Sequence, residues 1–394
     1  MADLFDKCYN FTKAKELQEQ GWYPYFKAIQ SGADTEVTIG GRKLIMIGSN
    51  NYLGLTQDAR IKEAARKAVI DFGSGCTGSR FLNGTLSLHV ELEEKLAEFM
   101  QKEAALVFST GFQTNLGTIS TIAGKDDIIY TDRNNHACIL DGCRLSFGRI
   151  VKYKHDNMRD LERLLAASNA DSGKLIVTDG VFSMEGNLTN LPEIVGLAQK
   201  YQARVMVDDA HSIGVFGKNG RGTAEHFGLE DEVDIIMGTF SKSFASLGGF
   251  IAANARVIDY IKHHSRALIF SASMPPAAVA SVIAALDIIK KEPERRERLW
   301  QIVRKMKSAF DELGFDTCKS DSPVVPIVIG EMMDTFVFWK QLFENGVFAN
   351  PAVPPAVPPG KSLIRTSYMA THTDDELDKV IEIFANLGKK FGLI

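Results

Sequence analysis

ARVMVDDAH, residues 203–211, sets three consecutive apolar residues, Val205 to Val207, directly before two aspartates and a histidine. A strand wet on one face alternates apolar with polar. This run does not, so it reads as a strand covered on both faces. LPEIVGLAQKYQ precedes it with helical period, and Pro192 falls in the first turn, where its missing N–H costs nothing. The same unit recurs from about residue 58 onward. AALVFST, DIIYTD, RIVKYK, KLIVTDG, VDIIMGT and GGFIAA are further apolar runs, several of them separated by helical stretches. Buried strands alternating with helices predict an α/β fold with a mostly parallel central sheet.

The flanks read differently. DLFDKCYNFTKAKELQEQG, 3–21, predicts one helix, followed by the aromatics Trp22, Tyr23, Tyr25 and Phe26. TEVTIGGRKLIMIG predicts a hairpin turning at Gly40-Gly41. Beyond about residue 275 the pattern is helical, then gives two short strands, VVPIVIG and SLIRTSYM. A last helix opens at Thr373, with Asp374, Asp375 and Glu376 in its first turn to suit the helix dipole. The expected division is an N-terminal helix and hairpin segment over 1–57, a large domain over 58–284 and a small α+β domain over 285–394.

Composition narrows the function. The 394 residues are 45% hydrophobic and 24% charged, with a net charge of -4, which argues against a nucleic-acid binder. The longest apolar candidate for a membrane span, AAVASVIAALDIIKK, is interrupted by Asp287. Five cysteines without a CxxC pair suggest a reducing compartment, with neither a disulfide framework nor a zinc cluster. The N-terminus shows no apolar signal core. A cytoplasmic location is the expectation, with the N-terminal aromatics either touching a membrane surface or packing on the protein. GSGCTG, 73–78, matches a dinucleotide fingerprint, but it follows a helical stretch, RIKEAARKAVIDFG, rather than a strand. GKS at 360–362 lacks the first glycine of a phosphate loop, since Pro355 stands there.

The chemistry collects after the strands. AALVFST runs into Gly111-Phe112, DIIYTD into His136, KLIVTDG into Ser183, ARVMV into Asp208 and His211, and VDIIMG into Thr239 and Lys242. Open parallel sheets bind ligands beyond the carboxyl ends of their strands, so these residues form a candidate site. An aspartate there holds a cationic ring nitrogen, and a glycine opening a helix binds a phosphate. A histidine stacks on a flat ring, and a lysine in a dry pocket becomes a usable amine. Together they describe pyridoxal 5′-phosphate. Arg365, on an otherwise apolar strand, reads as a bidentate carboxylate clamp.

At these residues the sequence resembles the α-oxoamine synthases, pyridoxal-phosphate enzymes of fold type I, the aspartate aminotransferase-like fold. The motifs are SNNYLGL (49–55), STGFQTN (109–115), NNHACILDG (134–142), VFSMEGN (181–187), VDDAHSIGVFGKNGRG (207–222), GTFSKSF (238–244), SASMPP (271–276) and IRTSYMATHT (364–373). They occur in the family's order over nearly the whole chain. The resemblance implies that Lys242 carries the cofactor as an internal aldimine, that Asp208 meets the pyridine nitrogen, that His211 meets the ring hydroxyl and that His136 stacks on the ring. Gly111, Phe112 and Thr239 are implied for the phosphate, with Ser183 near the ring. Asn50, or failing it Asn51, and Arg365 are implied for the substrate carboxylate. It also implies a homodimer with active sites at the interface, across which Ser271 or Ser273 lends a hydroxyl. SRFLNGTLSLHVELE, SMEG, AHSIG and GTFSKSFAS are most similar to members that condense L-serine with palmitoyl-CoA, a long-chain acyl-CoA. Members using glycine or alanine with another acyl-CoA are the alternative, and an aminotransferase is the rival of the same fold.

Overall fold

The structure, a computed structural model, describes residues 3–394. It divides into two compact units, Asn50–Trp300 and a second made of Met1–Ser49 with Gln301–Ile394. The sequence reading keeps the two ends of the chain apart, whereas here they share a unit.

The second unit begins with a departure from expectation. The N-terminal stretch forms two short helices, Asp6–Tyr9 and Lys13–Glu19. The first buries no residue, and Leu4, Phe5, Tyr9 and Phe11 stay exposed. Without a face to bury, nothing offsets the ordering of the residues that would join the two helices. Tyr25 packs edge-on against Phe336 with centroids 6.3 Å apart, while Phe26 is 95% exposed. Strands β1 (Glu36–Ile39) and β2 (Arg42–Met46) form the predicted hairpin. Gly40 and Gly41 both take positive φ, 57° and 75°, as a two-residue turn matching strand twist requires.

The larger unit carries β3 (Ala104–Phe108), β4 (Ile128–Asp132), β5 (Arg149–Tyr153), β6 (Lys174–Asp179), β7 (Arg204–Asp208), β8 (Ile235–Thr239) and β9 (Gly249–Ala253). These are the seven apolar runs of the sequence. They form one sheet in the order β3-β9-β8-β7-β6-β4-β5, in which only β9 runs antiparallel. The carboxyl ends of the other six therefore reach a common edge. Leu106, Ile129, Val177, Met206, Met237 and Ile251 of the sheet join Ile119, Ile139 and Leu268 in a buried core. The GSGCTG stretch follows the helix Ala59–Phe72 and leads into a loop, so no dinucleotide site forms there.

The smaller unit is completed by β10 (Val324–Gly330), β11 (Val347–Phe348), β12 (Asn350–Ala352) and β13 (Ser362–Ser367). One three-stranded sheet runs β1-β2-β11 and the other β10-β13-β12. The strands β11 and β12 carry too few residues for a readable pattern, and Pro351 sits in β12. The helix Asp374–Phe391 begins as predicted: Thr373 accepts from Glu376 N–H, and the Glu376 carboxylate accepts from Thr373 N–H at 2.8 Å. No described helix is long and apolar enough to cross a membrane.

Candidate active site

Each polar residue at the sheet edge is placed by the end of a buried strand. Asp179, Asp208 and Thr239 are the last residues of β6, β7 and β8. His136 follows β4 by four residues, and Gly111 opens the helix Gly111–Ile122 after β3. A cavity of about 260 Å³ is lined by Gly111, Phe112, His136, Ser183, Asp208, His211, Thr239 and Lys242. The structure therefore brings together eight of the predicted residues, which lie at or just beyond the ends of five strands.

Asp208 is buried and doubly held. Its Oδ1 accepts from Ala210 N–H at 2.9 Å and its Oδ2 from Asn115 Nδ2 at 2.6 Å. Held this way, the carboxylate is oriented to meet a cationic partner. In the strand register Asp179 stands directly opposite Asp208. Burial pushes the Asp179 pKa well above the carboxylate range, and the Asp208 charge adds to this. Asp179 therefore holds a proton more tightly than an ordinary carboxylate does. Asp209 does something else. It accepts from Thr223 N–H at 2.9 Å and from the Thr223 hydroxyl, capping the helix Thr223–Phe227.

His136 is clamped through its backbone. Its N–H donates to Asp179 Oδ2 at 2.7 Å. Next to it, Asn135 accepts from Asp179 N–H at 2.9 Å and donates to Val177 O at 2.8 Å. The His136 ring caps the helix Ala137–Leu145 and lies exposed to the cavity. Burial lowers its pKa and Lys242 pushes the same way, so the ring is neutral at pH 7. His211 Nδ1 lies 2.6 Å from Tyr52 Oη, which donates to Asn50 Oδ1 at 3.4 Å. Asn50 is tied to the site in this way without lining the cavity. Asn51, its alternative, accepts from Leu55 N–H and donates to Thr56 within its own turn.

Lys242 rides on a loop anchored from both sides. Phe240 and Phe244, two residues away in each direction, are fully buried, with ring centroids 5.4 Å apart. Ala245 N–H closes a turn on Lys242 O at 2.9 Å, and Phe240 N–H bonds Gly248 O at 2.9 Å. The Thr239 hydroxyl lies 3.0 Å from that of Ser241 and donates to Gly248 O at 3.1 Å. Gly111 stands beside Thr239, where a Cβ would meet the Thr239 Oγ1 at 2.6 Å. Only glycine lets this helix start so near the hydroxyl, and the first N–H groups of a helix lack intrahelical partners. Helix N–H groups and two hydroxyls make an anion cradle.

Three predicted residues lie elsewhere. Ser271 Oγ accepts from Gln113 Nε2 at 3.0 Å, and Ser273 Oγ donates to Gly78 O at 3.0 Å. Neither hydroxyl lines this cavity. Arg365 is buried in the smaller unit, on the central strand β13.

The donor set fits pyridoxal 5′-phosphate. A cradle that only glycine permits would take the phosphate, the doubly held Asp208 the ring nitrogen, His136 the ring face, His211 the ring hydroxyl and Lys242 the aldehyde carbon. Comparison with known proteins agrees. The family described as aminotransferase class I and II matches residues 42–384. The serine palmitoyltransferase of Sphingobacterium spiritivorum is 54% identical over 387 residues, covering 98% of this chain and 97% of its own. The chain belongs to the α-oxoamine synthases. Solved structures show the same family and fold. The Sphingomonas wittichii serine palmitoyltransferase matches with a TM-score of 0.96 at 38% identity, covering 100% of both chains. A structure described as SPT with PLP internal aldimine also matches at 0.96, with 37% identity and 100% of both chains covered. The fold is that of type I pyridoxal-phosphate enzymes.

Four residues of this α-oxoamine synthase site escape a reading of the sequence. Asp179 ends KLIVTD as Asp208 ends RVMVD, so the strand-end rule applied evenly would find it. Asn115 and Cys138 sit inside quoted motifs, but their roles depend on partners supplied by the fold. Tyr52 likewise gains its role from His211, far along the chain.

Proposed function

We propose that the chain joins L-serine to palmitoyl-CoA with loss of carbon dioxide, giving 3-ketodihydrosphingosine and free CoA. The observation that carries this reading is the cavity shared by Lys242, the doubly held Asp208 and the Gly111 cradle, in a chain this similar to serine palmitoyltransferases. The new bond links serine Cα to the thioester carbonyl carbon. The C–S bond to CoA and the bond from Cα to the carboxyl group break, and Cα takes up a proton.

When bound, pyridoxal 5′-phosphate supplies an electron-withdrawing ring that stabilises a carbanion at Cα. Asp208 would hold the proton on the ring nitrogen, and its two hydrogen bonds orient the carboxylate for that task. Lys242 Nζ removes the Cα proton. His136 would cover the ring face as a neutral imidazole, and His211, steadied by Tyr52, would contact the ring hydroxyl. Gly111, Phe112 and Thr239 would bind the phosphate, and Ser183 would lie beside the ring. Asn50 and Arg365 are assigned to the amino acid's carboxylate, which the guanidinium fork binds bidentately.

Two copies pair in this reading, and Ser271 or Ser273 reaches the partner's cavity. Support comes from the segment around 78–84, which bonds to 271–274 through the Ser79–Ala272 bridge and Ser273 N–H to Gly78 O. These joined segments and their flank expose Phe81, Leu82 and Phe270, apolar side chains that a second copy would cover. The chemical test offers serine, glycine and alanine in turn with short- to long-chain acyl-CoA and follows CoA release. Serine with palmitoyl-CoA is expected to give the fastest release. Release only with glycine or alanine moves the chain to another member reaction, and a keto acid formed without CoA release overturns the condensation altogether.

A further inference from the structure

Cys138 has no part in the assignments above, yet its buried side chain lines the cavity and touches two groups around it. Asn115 Nδ2 donates both to Cys138 Sγ at 3.0 Å and to Asp208 Oδ2 at 2.6 Å. On its other side, Cys138 Sγ lies 2.8 Å from His136 Nδ1, and Cys138 N–H donates to the same nitrogen at 3.3 Å.

The directions of these bonds follow from their chemistry. A backbone N–H can only donate, so His136 Nδ1 is an acceptor and carries no proton. In the neutral ring the proton then sits on Nε2. The sulfur already accepts from Asn115, which leaves its own S–H for Nδ1. Burial pushes the Cys138 thiol far above its ordinary pKa, with the Asp208 charge helping, so the S–H is present. The Asn115 amide is oriented at a cost. Its Oδ1 is buried with no hydrogen-bond partner, while its Nδ2 serves two acceptors. Turning the amide over would set Oδ1 against the Asp208 carboxylate. A lone acceptor left unpaired is tolerated because the alternative juxtaposes two acceptors, one of them charged.

We propose that Asn115 and Cys138 are positioning residues, a directional chain from Asp208 through the Asn115 amide and the Cys138 thiol that fixes His136 with its Nε2–H toward the cavity. The chain rests on the reading of this cavity as the cofactor site and adds a cause for the orientation of the residue over the ring. The ionisable groups facing His136 are Asp208 at the end of β7, Lys242 on the loop after β8, Asp179 at the end of β6 and Cys138 itself.

The test uses the full chain without cofactor, labelled with 15N-histidine, and the variants C138A and C138S. The His136 signals are assigned by their loss in H136A, and two-bond proton–nitrogen correlations report tautomer and titration. The parent protein is expected to show the Nε2–H tautomer. A donor on Nδ1 favours the neutral ring, so C138A should raise the His136 pKa by about half a unit or more, and C138S, whose hydroxyl also donates, should restore it. An unchanged titration in C138A overturns the proposal, and so does an equal shift in both variants, since that would be packing. Thermal melts of all three proteins confirm folding, and if C138A does not fold, C138S decides alone by keeping or losing the parent's tautomer. The readout is independent of turnover: an enzyme that fails to release CoA with serine refutes the proposed function and leaves this chain standing.

Discussion

The two edges of the seven-stranded sheet both carry charge, in opposite ways. At the carboxyl edge, Asp179, Asp208 and Asp209 are buried, and each is bonded to backbone or amide groups of its own unit. At the amino edge a groove of about 760 Å³ is lined by Asp127, Lys174, Arg204, Asp234 and Arg256. Its ion pair, Arg204 with Asp234 at 2.8 Å, leaves the arginine side chain 79% exposed. The larger opening is thus the less specific one. Charge in water is cheap and weak, whereas charge held in a dry cavity needs dedicated partners and acts strongly on what binds beside it. Burial with partners, rather than room, marks the working edge.

Three experiments test that contrast. The largest effect is expected from Lys242→Ala, which removes the amine of the working edge. Turnover should fall by about 10³-fold or more, the scale of a lost proton-transfer group, and the visible absorbance of the bound cofactor should vanish. Retention of both colour and turnover would remove Lys242 from the chemistry.

The next effect is a pH dependence of stability at the same edge. Burial pushes Asp209 up to about 6, against the Thr223 hydrogen bonds that pull it down. Below the unfolded value of 3.8 the group is neutral in both states. Between 3.8 and about 6 the unfolded chain loses its proton first, so stability falls as pH rises. Asp209→Asn cannot ionise. Urea melts between these pH values should show the variant gaining on the parent by up to roughly 3 kcal/mol. Parallel curves for the two proteins would show that Asp209 ionises normally.

The smallest effect belongs to the amino edge. Arg204→Ala should change stability by only ~0.2–1 kcal/mol, as exposed pairs do. The difference should disappear in about 1 M salt, where the screening length is near 3 Å. A larger or salt-resistant loss would erase the contrast between the edges.

The central sheet was legible because buried parallel strands leave long apolar runs, as in Val205–Val207, and their polar ends mark the edge where ligands bind. Helix starts with their own caps, such as Thr373 with Glu376, were legible for the same local reason. What escaped depends on distant partners. Asn115 reads as one more polar residue on a helix until Asp208 arrives from β7. The N-terminal segment has helical composition, but its first helix buries nothing and only Leu17 of its second is buried, and it forms two pieces. β11 is two residues long and exists only because β2 offers it a parallel edge.

That last pairing has a consequence for biosynthesis. β2 ends at Met46 and its neighbour β11 begins at Val347, so the smaller unit joins strands that are made about 300 residues apart. At about 5–20 residues per second, the hairpin waits some tens of seconds for its third strand. Meanwhile Asn50–Trp300, with the whole lining of the cavity, has emerged and can fold. The catalytic edge can form in the nascent chain while β2 still presents an open side.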